Sequence, residues 1–325
     1  MANVELVKLA VDTYKGSLGN FSKEDATETL RAKLIEIVGS ANPDYKAMRR
    51  NGPAVFEIIE EALDILVVEG ITNQFESFAE VRNMAWGDTN RFILKDTSLF
   101  KVATVADGTG NIRRQRIDNG SLTVSTSTKA IKIWEHLHRF LAGRIDWVEM
   151  VNRVAKSYQN ELAVAVYNAI YNAYDGLTAP YIASGTFDEA ELIDLIAHVE
   201  AATGEKAVIV GTKKALAKVT PAVVSDNMKD TLNTLGHYGV FKGTELREIA
   251  QAHAPGTNNF AINDSFLMVL PTGGEKLVKI VFEGEAIVDE ATGLDNADMS
   301  MEYTFIKKHG LAVLSSKKYG IYRLS

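Results

Sequence analysis

GRIDWVEMVNRVAKSYQNELAVAVYNAIYNAYDG, residues 143 to 176, reads as one long helix with a signal at each end. Asp146 is placed to cap the first-turn amides, Glu149 reaches back three residues later, and Asp175-Gly176 predicts a left-handed stop. About 28 residues between those signals give roughly 42 Å of helix, more than an ordinary globular helix needs. At about 100° per residue, Trp147, Val151, Val154, Ala155, Tyr158, Leu162, Ala165, Ala169 and Ala173 fall on one stripe. Glu149, Arg153, Lys156 and Asn160 fall opposite. In the second half Val164, Tyr167 and Tyr171 occupy the side that had been polar, so another domain or another chain is expected to cover the helix there. The stretch predicts a rod joining two bodies.

Upstream lies a hairpin. Ser98 to Ala106 alternates as a strand, Asp107-Gly108-Thr109-Gly110 is a turn, and Ile112 to Trp134 returns with a second break at Asn119-Gly120. Its residues are mostly Ser, Thr, Lys and Arg, with few large apolar side chains, and a lone two-stranded hairpin is marginal in water. Lys101, Arg113, Arg114, Arg116, Lys129 and Lys132 outnumber Asp107 and Asp118, so an acidic neighbour is its natural partner. Candidate acceptors are Glu57, Glu60, Glu61 and Asp64, and the acidic stretch from Glu283 to Asp298.

The first seventy residues are helical in pattern. Ser22 caps a segment whose Ala26, Leu30, Leu34 and Val38 share a face, and Gly39 stops it. Asn42-Pro43 opens a short helix that should end near Gly52-Pro53; a further helix then runs to Gly70 with Val55, Ile58, Ile59, Leu63 and Leu66 inward. These helices look too small to stand alone. Ser77 to Leu94 suggests a strand or two and a turn at Gly87-Asp88. After the long helix the pattern is mixed α/β. Thr186 and Glu189 suggest a capping box for a helix ending at Gly204, AVIV at 207–210 is a buried strand, Thr212 caps KKALAKV, and Ser225 to Leu235 is helical. Strands are expected at 246–249, 266–270 and 277–282, and the tail reads as strand, turn at His309-Gly310, strand, turn, strand.

Composition narrows the function. The net charge of −7 supplies no basic field for nucleic acid, which disfavours direct DNA binding. Cysteine is absent, so disulfides, thiolate nucleophiles and cysteine metal sites are excluded. No run of about 18 apolar residues occurs, and the opening residues carry Glu5 with no uninterrupted apolar core, so neither membrane insertion nor secretion is encoded. GTKK at 211–214 is an incomplete phosphate loop, better read as a Thr212 cap, and PTGGEK at 271–276 is better read as a hairpin turn. His136 and His138 lack a third ligand, and Asp289, Glu290, Asp295 and Asp298 lack calcium-loop spacing. No nucleophile with an evident base emerges, so neither catalysis nor a cofactor is expected.

HRFLAGRIDWVEMVNRVAKS entering the long helix, GVFKGTELREIAQ followed by AINDSFLMVLP and IVFEGE, and the closing YTFIKKHGLAVLSSKKYGIYRL give the chain a specific likeness. From about Phe78 to Leu324, by order of elements, it resembles a tailed-phage major capsid protein of the Hong Kong 97 type. The resemblance implies an α+β fold. Its parts would be an N-terminal helical arm (1–76), a segment leading into the P domain (77–97), an extended E-loop hairpin (98–134) and the P domain with its spine helix (135–178). An α/β A domain (179–282) and C-terminal strands returning to the P and A domains (283–325) would follow.

It further implies self-assembly into hexamers and pentamers of an icosahedral shell around double-stranded DNA, put together in the host cytoplasm without a membrane. The partners it implies are a scaffolding protein, a portal and a decoration protein. Contacts between subunits are then expected at Lys101, Arg113, Arg114, Arg116, Tyr167, Tyr171, Glu57, Glu60, Glu61 and Asp64. A retained N-terminal arm is favoured over one removed by proteolysis. The rival readings are an encapsulin-like nanocompartment and a soluble α/β nucleotide-dependent enzyme using Thr212 and Lys213.

Overall fold

The computed structural model describes residues 4–15, 22–39, 45–75, 78–94, 100–105, 107, 113–117, 119–136, 147–221, 223–291, 300–314 and 318–325. In chain order the elements are helices α1 (Val4–Lys15), α2 (Lys23–Val38) and α3 (Tyr45–Phe75), then strands β1 (Ala79–Met84), β2 (Arg91–Leu94), β3 (Gly120–Thr123) and β4 (Thr126–His136). The long helix α4 (Trp147–Asn172) follows, then β5 (Ile182–Gly185), α5 (Glu189–Thr203), β6 (Ala207–Thr212), the single turn α6 (Lys213–Leu216) and α7 (Asp226–Leu235). The chain closes with β7 (Val240–Phe241), β8 (Thr244–Ile249), β9 (Phe266–Pro271), β10 (Val278–Ala291), β11 (Ser300–Val313) and β12 (Gly320–Leu324). Two compact units result, one of residues 1–86, 126–169 and 280–310, the other of 87–125, 170–279 and 311–325.

The first unit holds helices α1 to α3, most of α4, and a four-stranded sheet in the order β1-β10-β11-β4. Ser22 accepts from the Asp25 amide and Gly39 closes α2 at φ 82°, so both ends of that helix follow the local chemistry. Helix α3 departs from expectation, because it runs unbroken through Gly52-Pro53 and through Gly70. An internal proline forfeits one helix bond, but past it Val55, Phe56, Ile58, Ile59, Ala62, Leu63, Leu66 and Val67 bury one continuous face, and before it the Asn51 side-chain amide donates to the Val38 carbonyl of α2 at 2.8 Å. At Gly70 the need is for space. A Cβ there would lie 2.0 Å from Nε2 of Gln159, whose amide donates to the Leu66 carbonyl at 2.9 Å. On α4, Val151, Val154, Ala155, Tyr158 and Leu162 are buried while Glu149, Arg153, Lys156 and Asn160 are exposed, as the periodicity requires. The Asp146 cap lies outside the described residues. The predicted left-handed stop is absent: Ala173–Gly176 form a 3-10 turn that gives way to extended backbone at Leu177, φ −83°.

The second unit is built on a six-stranded sheet, β5-β12-β9-β6-β8-β7, with β6 parallel to β8 and antiparallel to β9. Every residue of β6 and β9 is buried, as suits central strands. Helix α5 covers the sheet with Leu192, Leu195, Ile196 and Val199. Its cap is Asp188, which accepts from the Ala190 and Glu191 amides, and not Thr186. Thr212 caps α6, Ser225 caps α7, and Gly204 and Gly236 end α5 and α7 in the left-handed conformation.

Three further departures concern the strands. β4, expected as the returning arm of the hairpin, pairs instead with β11 from Thr126↔Gly310 to His136↔Ser300, and the hairpin is carried on β2 and β3. His309-Gly310 is no turn, since both are buried within the continuous strand β11. PTGGEK is no hairpin turn, because β9 and β10 belong to different sheets.

Candidate assembly interface

The hairpin starts from a built base. Asn90 is buried, donates to the Val124 carbonyl at 2.6 Å and accepts from the Val124 amide at 2.8 Å, tying together the ends of the antiparallel pair β2–β3. Farther out, the described residues 100–105 and 113–117 form no regular strand. The Gln115 side chain imitates a strand pair there, accepting from the Lys101 amide and donating to its carbonyl, each at 2.8 Å. The described residues around it are exposed. Lys101, Arg113, Arg114 and Arg116 are exposed, and among the described residues none has a carboxylate partner. Val102 is 98 % exposed, and Phe100, Val105 and Ile117 are exposed as well.

The acidic residues of α3 divide into two groups. Glu57 and Glu61 lie on the exposed face. Glu60 and Asp64 are half-buried and bind their own chain: Glu60 accepts from the Val288 amide at 2.8 Å, and Asp64 from the Ala286 amide at 3.3 Å and from the Lys307 ammonium. Burial pushes the Glu60 carboxyl above the usual range, opposed by the Val288 amide and reinforced by Glu285, Asp64 and Glu57. These two carboxylates therefore cap amides of β10.

The tyrosines also have cover from within. Tyr167 is 4 % exposed, its ring 5.6 Å from Phe75 and 6.5 Å from Phe78, so the first unit itself fills the apolar back of α4 there. In the second unit Tyr171 stacks on Phe266 at 4.6 Å, and the Arg323 guanidinium lies 5.4 Å from Tyr171 and 4.3 Å from Tyr174. Tyr167 is out of water within its own subunit, and Tyr171 is half-buried.

A buried polar group escaped the sequence reading. Lys307 points inward from β11, donates to Asp64 and to the Gly284 carbonyl at 3.0 Å, and lies 5.6 Å from the Phe282 ring. Two residues on, His309 meets the Tyr158 hydroxyl of α4. Burial pushes the imidazole down to about 4, with Lys129 adding to the effect and Glu161 opposing it, so the ring is neutral and shares a hydrogen bond with the Tyr158 hydroxyl, which donates to the Lys307 carbonyl at 3.4 Å. Burial also raises the Tyr158 phenol. The sequence signal is the two-residue period in which Tyr303 and Phe305 alternate with Glu302 and Thr304; continued along β11, it places Lys307 and His309 inside.

The residues considered for chemistry have structural roles. Thr212 accepts from the Ala215 amide, and Lys213 lies against Gly236, where a Cβ would come within 2.3 Å of its Cε. His136 pairs with Ser300 at the end of β4. His138, Asp295 and Asp298 lie outside the described residues.

A sequence model of the family described as "SPbeta prophage-derived putative capsid protein YonB" matches residues 5–323. The chain belongs to this capsid-protein family. No curated protein matches it in sequence. Among solved structures, the capsid of a native GTA particle shares 12 % identity over 78 % of this chain and 90 % of that one, with a TM-score of 0.56. A chain from Microbacterium phage Oxtober96 shares 12 % over 77 % and 90 %, with a TM-score of 0.54. The mature capsid of bacteriophage PhiM1 shares 11 % over 77 % and 86 %, with a TM-score of 0.52. Identities this low speak for the fold alone, which is of the Hong Kong 97 type. The YonB-family chain is thus a major capsid protein, a structural component of the virion that associates with itself into a shell, and not an enzyme. That disposes of the nucleotide-dependent reading of Thr212 and Lys213.

Proposed function

We propose that this capsid protein closes into an icosahedral shell of hexamers and pentamers around double-stranded DNA, and that its arginine-rich arm joins one subunit to the next. The supporting observation is the arm itself: four cationic side chains without a carboxylate partner among the described residues, beside a valine almost wholly in water. Among the described residues that charge is left unmatched within the subunit. In a shell every contact repeats many times, so ion pairs of about 0–1 kcal/mol each can decide closure without affecting the subunit.

In this reading residues 1–76 form an N-terminal helical arm, and the E-loop, placed by sequence at 98–134, is the segment carried on β2 and β3. The spine helix belongs to a P domain placed at 135–178, and the six-stranded sheet belongs to an A domain placed at 179–282. Strands of 283–325 return to both. A separate scaffolding protein, a portal and a decoration protein are the fitting partners, with assembly in the host cytoplasm and DNA held without sequence-specific contact. Of the acidic residues of α3, the exposed Glu61 is a candidate acceptor for the arginines, whereas Glu60 and Asp64 bind amides of β10. Purified particles should contain nuclease-protected DNA and no cargo enzyme. The Arg113→Glu/Arg114→Glu/Arg116→Glu protein should fold, stay soluble and stop at capsomers or smaller; shells of normal size and salt resistance from that variant would refute the role given to the arm.

A further inference from the structure

The break at Asn119-Gly120 is one of two places where a glycine follows an asparagine, the other being Asn51-Gly52. Glycine leaves its own amide nitrogen free to approach the preceding side chain, because no Cβ stands in the way. The fold treats the two pairs differently. Gly52 is buried in α3, where the helix engages its amide, and the Asn51 side chain is held by the Val38 carbonyl at 2.8 Å. Asn119 and Gly120 are both exposed, and Asn119 lies outside regular structure. Leu94↔Gly120 is the end pair of the β2–β3 ladder, so the loss of one pair releases the Gly120 backbone.

Among the described residues, no packing contact asks for glycine at 120. Its φ is outside the left-handed region, and a Cβ there would meet Cδ1 of Leu94 at 3.6 Å, an ordinary contact. Gly70 and Gly284 differ, since a Cβ at either would run into Gln159 or Trp86 at 2.0 Å. Glycine weakens a strand, so a residue with a side chain would serve β3 better. What glycine does supply at 120 is an unhindered nitrogen beside an exposed asparagine.

We infer that Asn119 is a site of spontaneous deamidation, in which the Gly120 amide nitrogen bonds to Cγ of Asn119 and the side-chain amide leaves as ammonia, carrying away the proton that the nitrogen gives up. Water then opens the succinimide, its hydroxyl going to one imide carbonyl and its proton to the nitrogen, to give aspartate or isoaspartate. Either product puts a carboxylate where a neutral amide stood, at the root of the segment that exposes Arg113, Arg114 and Arg116. Isoaspartate also adds a methylene to the backbone just ahead of β3. The effect on assembly rests on the reading of the arm proposed above: the new charge competes for the arginines, so closure weakens as unassembled protein ages.

Unassembled protein held in mildly alkaline buffer and mapped by tryptic peptides should show the mass of an amide exchanged for a carboxyl in peptide 117–129, with isoaspartate detected by enzymatic methyl transfer. The peptide that starts at Asn51 should stay unchanged. In urea both sites should change together, because the fold alone separates them; a difference that persists in urea overturns the inference. Gly120→Ala should slow the change at Asn119 by roughly an order of magnitude, and the added methyl has room. Equal rates at Asn119 and Asn51 in the folded subunit, or no slowing by Gly120→Ala, also overturn it. Asn119→Asp, made directly, should close fewer shells than wild type in side-by-side micrographs. Undiminished closure would refute the effect on assembly and leave the modification standing, whereas the arm's own role fails on a different result, normal shells from the triple arginine variant.

Discussion

The ammonium of Lys307 on β11 is held by the carboxylate of Asp64 on α3, 243 residues earlier in the chain. The lysine side chain is 2 % exposed and the aspartate 29 %. Asp64 also accepts from the Ala286 amide, so a single carboxylate fastens α3 to two adjacent strands.

Removing one member of a buried pair leaves the other charge uncompensated, a loss of about 3–5 kcal/mol. Asp64→Ala should show a loss of that order in urea unfolding of the unassembled subunit. Lys307→Met should cost less, because Asp64 can still reach water. The double variant should recover much of the difference; strictly additive losses would mean the two groups are not coupled.

The neutral state of His309 makes stability depend on pH. Its folded value of about 4 lies below the ordinary imidazole value, so the unfolded chain takes up a proton first as pH falls. Stability should decline between about pH 6.5 and 4, by roughly 3 kcal/mol when complete. Glu60 works in the opposite direction, since its raised carboxyl adds stability at low pH that is lost as pH rises through its folded value. Comparison with His309→Gln isolates the histidine. The variant should flatten the curve over that window, and parallel curves would show that the ring is not buried neutral.

Tyr167→Ala should destabilise the isolated subunit by about 3–5 kcal/mol, because its ring fills space against Phe75 and Phe78. A variant with normal subunit stability that fails only in assembly would mean that another subunit provides the cover.

Gly284 has φ +73° within β10, and a Cβ there would meet the Trp86 ring at 2.0 Å. Gly284→Ala should cost at least about 1 kcal/mol from the backbone alone, with more for moving the indole, read as a lowered unfolding midpoint.

The parts of this fold that could be read in the sequence are those settled by neighbouring residues. Ser22 with Gly39, Thr212 and Ser225 supply caps within three residues of the amides they bind, so spacing reveals them. The buried stripe of α4 follows from a helical period maintained over many residues. Gly52-Pro53 and His309-Gly310 misled because tertiary packing outweighs a local breaking signal: α3 is tied to α2 through Asn51 before the proline and buries Val55 to Val67 after it, and β11 is pinned to β4 through Gly310. The assignment of β4 to a different sheet from the hairpin was equally hidden, since pairing partners nearly two hundred residues away leave no local trace. The arm's unmatched charge was legible from composition, whereas the engagement of Glu60 and Asp64 with β10, and the cover over Tyr167 and Tyr171, became visible only with the chain folded.

The most direct measurement is electron microscopy of the purified protein, wild type beside Arg113→Glu/Arg114→Glu/Arg116→Glu, under identical assembly conditions with any required scaffold supplied. The account predicts closed shells from the wild type and folded capsomers or smaller species from the variant. Wild-type protein that folds but never exceeds small oligomers would contradict it.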